Sequence, residues 1–196
     1  MKDISFYPNH TAVLGMDLQA GIVSVYTKND KAFLSRVEEV LRSARGSGMH
    51  VIHVKVGFRP NLPEVSSRNL LFGGIKASAQ WQKLFEGDLG AIHPSAAPHS
   101  GDIVLTKSRV SAFTGTDLEL ILRSQDIDTL VLFGIATSGV VLATLFQASD
   151  ADYRLVVIKD CCLDLETAVH DALVEKVFPR QATVMTASEF LAAIKK

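Results

Sequence analysis

The chain alternates short runs of apolar residues with longer stretches in which apolar residues recur every three or four positions. The short runs are typical of buried strands, and the longer stretches are typical of helices with one apolar face. The predicted strands cover 11–16, 49–56, 102–106, 129–133, 154–159 and 182–185. The predicted helices cover about 31–44, 78–85, 117–124, 138–150, 165–177 and 187–194. Such alternation predicts a single domain, 1–196, with a three-layer α/β/α fold. Its six-stranded parallel sheet should be covered by helices on both faces and joined by right-handed crossovers.

The segment 57–101 does not follow this pattern. It holds six of the thirteen glycines and the only tryptophan, Trp81. A long irregular segment in a compact domain is usually a binding or subunit-contact loop. Its large apolar residues are Phe58, Leu70, Leu71, Phe72, Trp81 and Phe85. We therefore expect a homo-oligomer, in which part of this segment caps a pocket of its own or of a neighbouring chain.

Polar or glycine residues follow four of the predicted strands. They are Asp17, Lys107, Gly134 and Asp160. In open parallel sheets, ligands bind beyond the carboxyl ends of the strands, near the point where the strand order reverses. The sequence therefore predicts a small-molecule pocket at this edge.

The composition excludes several classes of partner. The chain has 196 residues, a formal net charge of -1 and no basic stripe, which argues against nucleic acid. No apolar run approaches the ~20 residues of a membrane helix, and the start of the chain lacks a signal-peptide pattern, so we expect a cytoplasmic protein. The two cysteines, Cys161 and Cys162, are adjacent. Neighbouring cysteines rarely bridge, so we expect reduced, packed thiols.

Three segments carry a resemblance to a known family. The stretch Gly134-Ile-Ala-Thr-Ser-Gly-Val140-Val-Leu-Ala-Thr144 resembles the nucleophile turn of the isochorismatase-like cysteine hydrolases. Val140 stands where that family carries its cysteine. The resemblance implies the isochorismatase-like, Rossmann-like fold and a site without a thiol.

The other two segments supply the charged residues. Asp17-Leu-Gln19 is similar to the family's Asp-Val/Leu-Gln signature. Lys107-Ser-Arg-Val-Ser111-Ala-Phe113 is similar to its lysine segment, which reads Lys-x-x-x-Ser-Ala-Phe. The resemblance implies that Asp17 and Lys107 are catalytic and lie within roughly 2.7–4 Å of each other. Gln19, Arg109 and Phe113 are candidates for substrate contact.

The resemblance also predicts how the turn after the fourth strand works. The bond between Ile135 and Ala136 should be cis, and Ile135, Ala136 and Gly139 should form an oxyanion-binding turn. Thr137 is a candidate for substrate contact. Val140 has no nucleophilic atom, and the hydroxyls of Thr137 and Ser138 are out of register with it.

We expect no metal and no other cofactor. Family members of the nicotinamidase type carry an Asp and His cluster after the second strand. Here that region has Glu64 as its only acid before residue 86, and no histidine follows His53 there. His50 and His53 face opposite sides of a strand.

Several functions remain open from the sequence. The first is hydrolysis of a small molecule without a thiol, with Asp17 as general acid/base and Lys107 as its partner, as in vinyl-ether cleavage. The second is a catalytically silent relative that binds a small ligand or serves as an oligomeric scaffold. The third is an amidase with a substitute nucleophile. A dinucleotide-binding protein is disfavoured, because no Gly-x-Gly-x-x-Gly follows the first strand.

Overall fold

The computed structural model describes residues 5–27 and 30–195, and its centre is a parallel sheet. The strands are β1 (Thr11–Met16), β2 (His50–Val56), β3 (Ile103–Lys107), β4 (Thr129–Ile135), β5 (Arg154–Leu163) and β6 (Thr183–Met185). Their order is β3-β2-β1-β4-β5-β6, and each neighbouring pair is parallel. The predicted six-stranded α/β fold is confirmed. The strand order reverses between β1 and β4, which is where such sheets bind ligands.

Nine α-helices lie in the described part of the chain. They are α1 (Ala20–Thr27), α2 (Lys31–Gly46), α3 (Leu70–Ala77), α4 (Ala79–Lys83), α5 (Gly87–Gly90), α6 (Leu118–Ser124), α7 (Leu142–Asp150), α8 (Thr167–Ala172) and α9 (Ala187–Ala193). Short 3-10 turns cover Pro8–His10, Pro94–Ala96 and Phe178–Arg180, and π-helical turns cover Thr137–Val141 and Leu173–Val177. The sequence pattern missed α1, α3 and α5, and the first two of these contribute to the site. Residues 1–4, which include part of the segment tested for a signal peptide, are outside the described residues.

The core is built on the two central strands. Every residue of β1 and β4 is buried. The predicted apolar stripe of α2 packs onto the sheet through Phe33, Val37 and Leu41, all at most 1 % exposed. Because both central strands are fixed by this packing, the loops at their carboxyl ends are held in place.

The fifth strand is longer than predicted. We expected it to end before Asp160, but β5 continues to Leu163 and shifts register against β4 between Leu132 and Gly134. The Asp160 carboxylate instead accepts a 2.7 Å hydrogen bond from the Ala187 amide at the start of α9. The prediction that Asp160 follows the strand at the ligand-binding edge is therefore wrong.

Candidate functional site

A buried ion pair joins the ends of two strands. Asp17 follows β1 with φ 55°, and its amide donates to the Val54 carbonyl at 2.8 Å. Lys107 is the last residue of β3, and its Nζ donates to Asp17 Oδ2 at 2.7 Å and to the Arg109 carbonyl at 3.1 Å. Asp17 is 5 % exposed and Lys107 is 2 % exposed. The predicted pairing of these two residues is confirmed.

The environment of Asp17 suits it to proton transfer. Burial raises the pKa of its carboxyl above the ordinary value, and the neighbouring Lys107 ammonium opposes that rise. Oδ2 is taken by Lys107, whereas Oδ1 is buried without a hydrogen-bond partner among the described residues. Oδ1 is therefore the carboxylate oxygen whose lone pairs are not taken by another described side chain.

The turn after β4 forms the second side of the site. Gly134 has φ 143°, and a Cβ there would lie 2.0 Å from the Met16 carbonyl oxygen, so only glycine fits between the two central strands. The peptide bond between Ile135 and Ala136 is cis, the geometry that the resemblance predicts. Gly139 has φ -100° and ψ -106° and kinks the chain before α7 begins.

Two side chains that the sequence did not single out hold this turn. Asp164 Oδ2 accepts a 2.7 Å hydrogen bond from the Ser138 amide. Thr137 Oγ1 lies 2.8 Å from His170 Nδ1. Both partners come from the segment after β5, which no motif marks. Thr137 is 0 % exposed and does not line the pocket, so its placement differs from the predicted substrate contact.

A cavity of about 760 Å³ opens above the ion pair and the turn. Its floor holds Asp17 and Lys107 beside Ile135, Ala136 and Val140, and Gly139 also lines it. The rest of the lining comes from α1, the end of β2, the irregular segment and the loop after β3: Ile22, Val25, Tyr26, Val56, Leu70, Leu71, Phe72, Gly74, Ile75, Ser78, Trp81, Leu84, Phe85 and Val110. The predicted role of the irregular segment as a pocket cap therefore matches its position within this chain.

Tyr26 is a polar lining residue that the sequence did not reveal. It lies in α1, and burial raises the pKa of its hydroxyl, with the carboxylates of Asp164 and Asp17 adding to the rise. The phenol therefore keeps its proton at neutral pH and is a hydrogen-bond donor at the wall.

Three predicted substrate contacts lie elsewhere. Gln19 is 0 % exposed, and its amide bonds the backbone of Val56 (2.7 and 3.0 Å) and Gly90 (3.0 Å), so it braces the loop. Phe113 is 8 % exposed and packs against Tyr153. Arg109 donates to the carbonyls of Ser108 and Glu64 and lines a separate polar cavity.

The cysteines are closed off from this site. Cys161 is 0 % exposed and Cys162 is 2 % exposed within β5. Burial raises the pKa of both thiols, that of Cys162 to about 12. Both thiols therefore stay protonated, and a thiol is a poor nucleophile.

A metal-binding cluster and a membrane-spanning helix are both absent from the described residues. Within residues 5–27 and 30–195, no group of three or more His, Cys, Asp or Glu side chains is arranged to hold a metal ion. None of the described helices is long and apolar enough to cross a membrane.

Comparison with known proteins places this architecture in one family. The model of the isochorismatase domain matches residues 11–189. The chain is 27 % identical over 191 residues to the maleamate amidohydrolase of Pseudomonas putida, covering 94 % of this chain and 86 % of that protein. It is 30 % identical over 192 residues to the uncharacterized isochorismatase family protein YecD of Escherichia coli O157:H7, covering 94 % and 96 %.

A solved structure of an isochorismatase family protein from Burkholderia thailandensis superposes with a TM-score of 0.81 at 27 % identity, covering 98 % of each chain. The family match, the fold and the relatives agree over nearly the whole length. The chain therefore belongs to the isochorismatase family, whose members are hydrolases of small molecules.

Proposed function

We propose that this chain hydrolyses a small molecule without a cysteine nucleophile, with Asp17 as general acid/base and Lys107 as its charged partner. The observation that carries the proposal is the 2.7 Å pair on the floor of a cavity whose lining includes Val140. The pair supplies a proton acceptor and a cation at one point, and water is left as the nucleophile.

The proton route follows from the two carboxylate oxygens. With an amide or carbamate, Oδ1 of ionised Asp17 accepts a proton from water while the hydroxide attacks the carbonyl carbon. The carboxylic acid then returns the proton to the leaving nitrogen as the carbon–nitrogen bond breaks. Lys107 stabilises the carboxylate at the start and the end of this cycle.

A vinyl ether would use the same residue in the opposite order. Protonated Asp17 delivers its proton to the alkene carbon, and water adds to the resulting oxocarbenium ion. The adduct loses a proton to the carboxylate and collapses to an alcohol and a carbonyl compound. Burial that raises the pKa of Asp17 supports this acid form.

The turn supplies the contact for a developing oxyanion. We assign this contact to the Ala136 amide, because Ala136 lines the cavity, whereas the Ser138 and Gly139 amides already donate to Asp164 and to the Ala136 carbonyl. Backbone donors fixed in this way stabilise charge that appears only in the transition state. Gly139 then shapes the turn and does not itself bind the oxyanion.

The experiment is a hydrolysis screen of vinyl ethers, amides and carbamates with wild type, Asp17→Asn and Asp150→Asn. Asp150 ends α7, is exposed, and does not line the cavity, so it is the matched control. General acid–base catalysis contributes typically 10²–10⁴-fold. We expect a loss of about that size for Asp17→Asn, assayed below its melting midpoint, and wild-type rates for Asp150→Asn. Equal rates for all three proteins would contradict the proposal.

The second candidate is a catalytically silent relative that binds a small ligand or serves as a scaffold. The valine in the floor and the apolar walls favour it, since both suit binding without chemistry. Thermal stabilisation by a compound that is not turned over, with no activity anywhere in the screen, would support this function.

We further propose that the protein works in the cytoplasm as a homo-oligomer. Leu70 is 94 % exposed, Leu71 58 % and Trp81 51 %, all at the mouth of the cavity. Apolar side chains gathered in this way usually mark a contact. Light scattering at micromolar concentration should give a multiple of the 21.3 kDa chain mass, and a monomer mass would contradict the assignment.

A further inference from the structure

The charged side chains that line the cavity above the ion pair neutralise each other. Among the described residues that line it, Asp17 and Lys107 are the charged ones, and they are bonded to each other at 2.7 Å. With Asp17 ionised, the pair has no net charge. No lining cation in the described part of the chain is therefore left to neutralise an acidic ligand.

A neighbouring cation, Arg109, is committed elsewhere. The Arg109 guanidinium lies 5.7 Å from the centre of the Phe72 ring and donates to the carbonyls of Ser108 and Glu64. It lines the neighbouring polar cavity and not this one. Phe72 therefore separates the arginine from the apolar cavity.

The apolar wall is a packed structure of its own. Phe72 belongs to a small core with Leu62 and Val65. Phe58 meets the rings of Phe72 and Phe85 edge to face, at 6.0 and 5.5 Å between centroids. Because these contacts fix the wall, the cavity offers a preformed apolar surface to a flat ligand.

The cavity contains one hydrogen-bond acceptor that a ligand can satisfy. Asp17 Oδ1 is buried and has no hydrogen-bond partner among the described residues. An unpaired buried acceptor destabilises a protein, so a ligand group that reaches it and donates to it gains both affinity and orientation. An N–H or O–H group at one end of the ligand meets this demand.

We infer that the site takes an uncharged, largely apolar molecule, aromatic in its body, with one N–H or O–H donor placed against Asp17. This inference rests on the proposed function, because it names the substrate class of the same site. A carboxylate, sulfonate or phosphate on the buried part of the ligand would be desolvated without a counter-charge.

The test uses two fluorescent probes that differ by one charge. N-phenyl-1-naphthylamine is neutral and carries an N–H group, and its 8-sulfonate is the anionic counterpart. Both are titrated at pH 8, with the probe emission and the quenching of Trp81 as readouts. Trp81 is the only tryptophan and lines the cavity, so its quenching reports occupancy there.

A matched pair of variants ties the signal to the cavity. Gly74 lines the cavity, whereas Gly46 ends α2 and does not line it, and a Cβ at either meets nothing within 4 Å. Gly74→Leu therefore adds a bulky side chain at the cavity lining without a backbone clash, and Gly46→Leu adds the same side chain elsewhere.

We expect the neutral probe to bind at least about tenfold more tightly than the sulfonate, a difference of about 1.4 kcal/mol. We expect Gly74→Leu to lose that binding and Gly46→Leu to keep it. Equal or tighter sulfonate binding, neutral binding that survives Gly74→Leu, or no binding of either probe would each overturn the inference. The readout is binding, so an inactive protein that prefers the neutral probe would refute the proposed catalysis while leaving the ligand class in place.

Discussion

The buried Asp17–Lys107 pair makes a stability prediction that is independent of any substrate. In Asp17→Asn, the Lys107 ammonium keeps its burial and loses its counter-charge. Removing one partner of a buried ion pair destabilises a protein by about 3–5 kcal/mol. For a chain of this length, about 2–4 °C of melting temperature corresponds to each kcal/mol, so the melting midpoint should fall by about 6–20 °C.

A second variant separates lost charge pairing from lost packing. Replacing both residues, as Asp17→Asn with Lys107→Met, removes the unpaired cation and keeps the volume of the lysine stem. We expect the double variant to be more stable than Asp17→Asn alone. Glu119→Gln is the control, because its pair with Arg123 lies on the surface, with side chains 48 % and 66 % exposed, and its loss should not be measurable.

Thermal and urea unfolding, followed by circular dichroism, would measure these changes. The reasoning would be refuted if Asp17→Asn unfolded within about 1 kcal/mol of wild type. A double variant less stable than Asp17→Asn would also refute the reasoning. Either result would mean that the pair is solvated, and a solvated carboxylate has no reason for a raised pKa.

Three further predictions follow from the turn and the sheet. Gly134→Ala should lower the free energy of urea unfolding by at least about 2 kcal/mol, because its Cβ would meet backbone at 2.0 Å and its φ is 143°. Gly139→Ala, whose Cβ meets a methyl group at 3.7 Å, should lower it less. Equal losses in the two variants would count against the close approach at Gly134. Native wild type should resist iodoacetamide, and Val140→Cys should be alkylated with a thiol pKa below the free value of about 8.5. Val141→Cys, which is 0 % exposed and outside the cavity lining, should not react. A Val140→Cys thiol that titrates at or above that value would show that the charged pair is not positioned to stabilise a thiolate. Burial lowers the pKa of His53 in the folded protein. The stability that neutral His53 contributes is therefore fully present above its unfolded pKa of about 6.5 and is lost as the pH falls below that value. His53→Gln should flatten the fall in unfolding free energy between pH 7.5 and 5.5, and an unchanged slope would argue against this role.

The sequence pattern was most informative where one period dominates. The stripe of α2 and the all-buried strands β1 and β4 were predicted because burial on one face, or on both, imposes a regular apolar spacing. Asp17 and Lys107 could be predicted as neighbours because parallel strands end at one edge of the sheet and the family resemblance assigns both residues to one pocket.

The elements that the pattern missed have a physical reason in common. The helix α1 has mostly apolar or small residues and little segregation of polar ones, and α3 lies inside a segment rich in glycine and proline. Neither carries a clear helical period, and tertiary contacts fix both. The extension of β5 past Asp160 depends on a register shift against β4, which local sequence does not encode.

Site residues divided in the same way. Asp17 and Lys107 were found by their positions at strand ends. Whether Gln19, Phe113 and Thr137 could contact a substrate depended instead on burial by distant chain segments. The buried side chains of Gln19 and Thr137 take hydrogen-bond partners within the protein, and Phe113 packs into its core. Asp164 and His170, which hold the turn, follow no motif and became visible only through their contacts.

The most direct test of thiol-free catalysis uses the fact that the chain has just two cysteines. The variant Cys161→Ala with Cys162→Ala contains no thiol at all, and it is to be assayed beside wild type and Asp17→Asn on any substrate found in the screen. The account predicts that the cysteine-free protein keeps kcat/KM within about threefold of wild type, while Asp17→Asn loses at least about 100-fold. A cysteine-free protein that folds but is as inactive as Asp17→Asn would contradict the account.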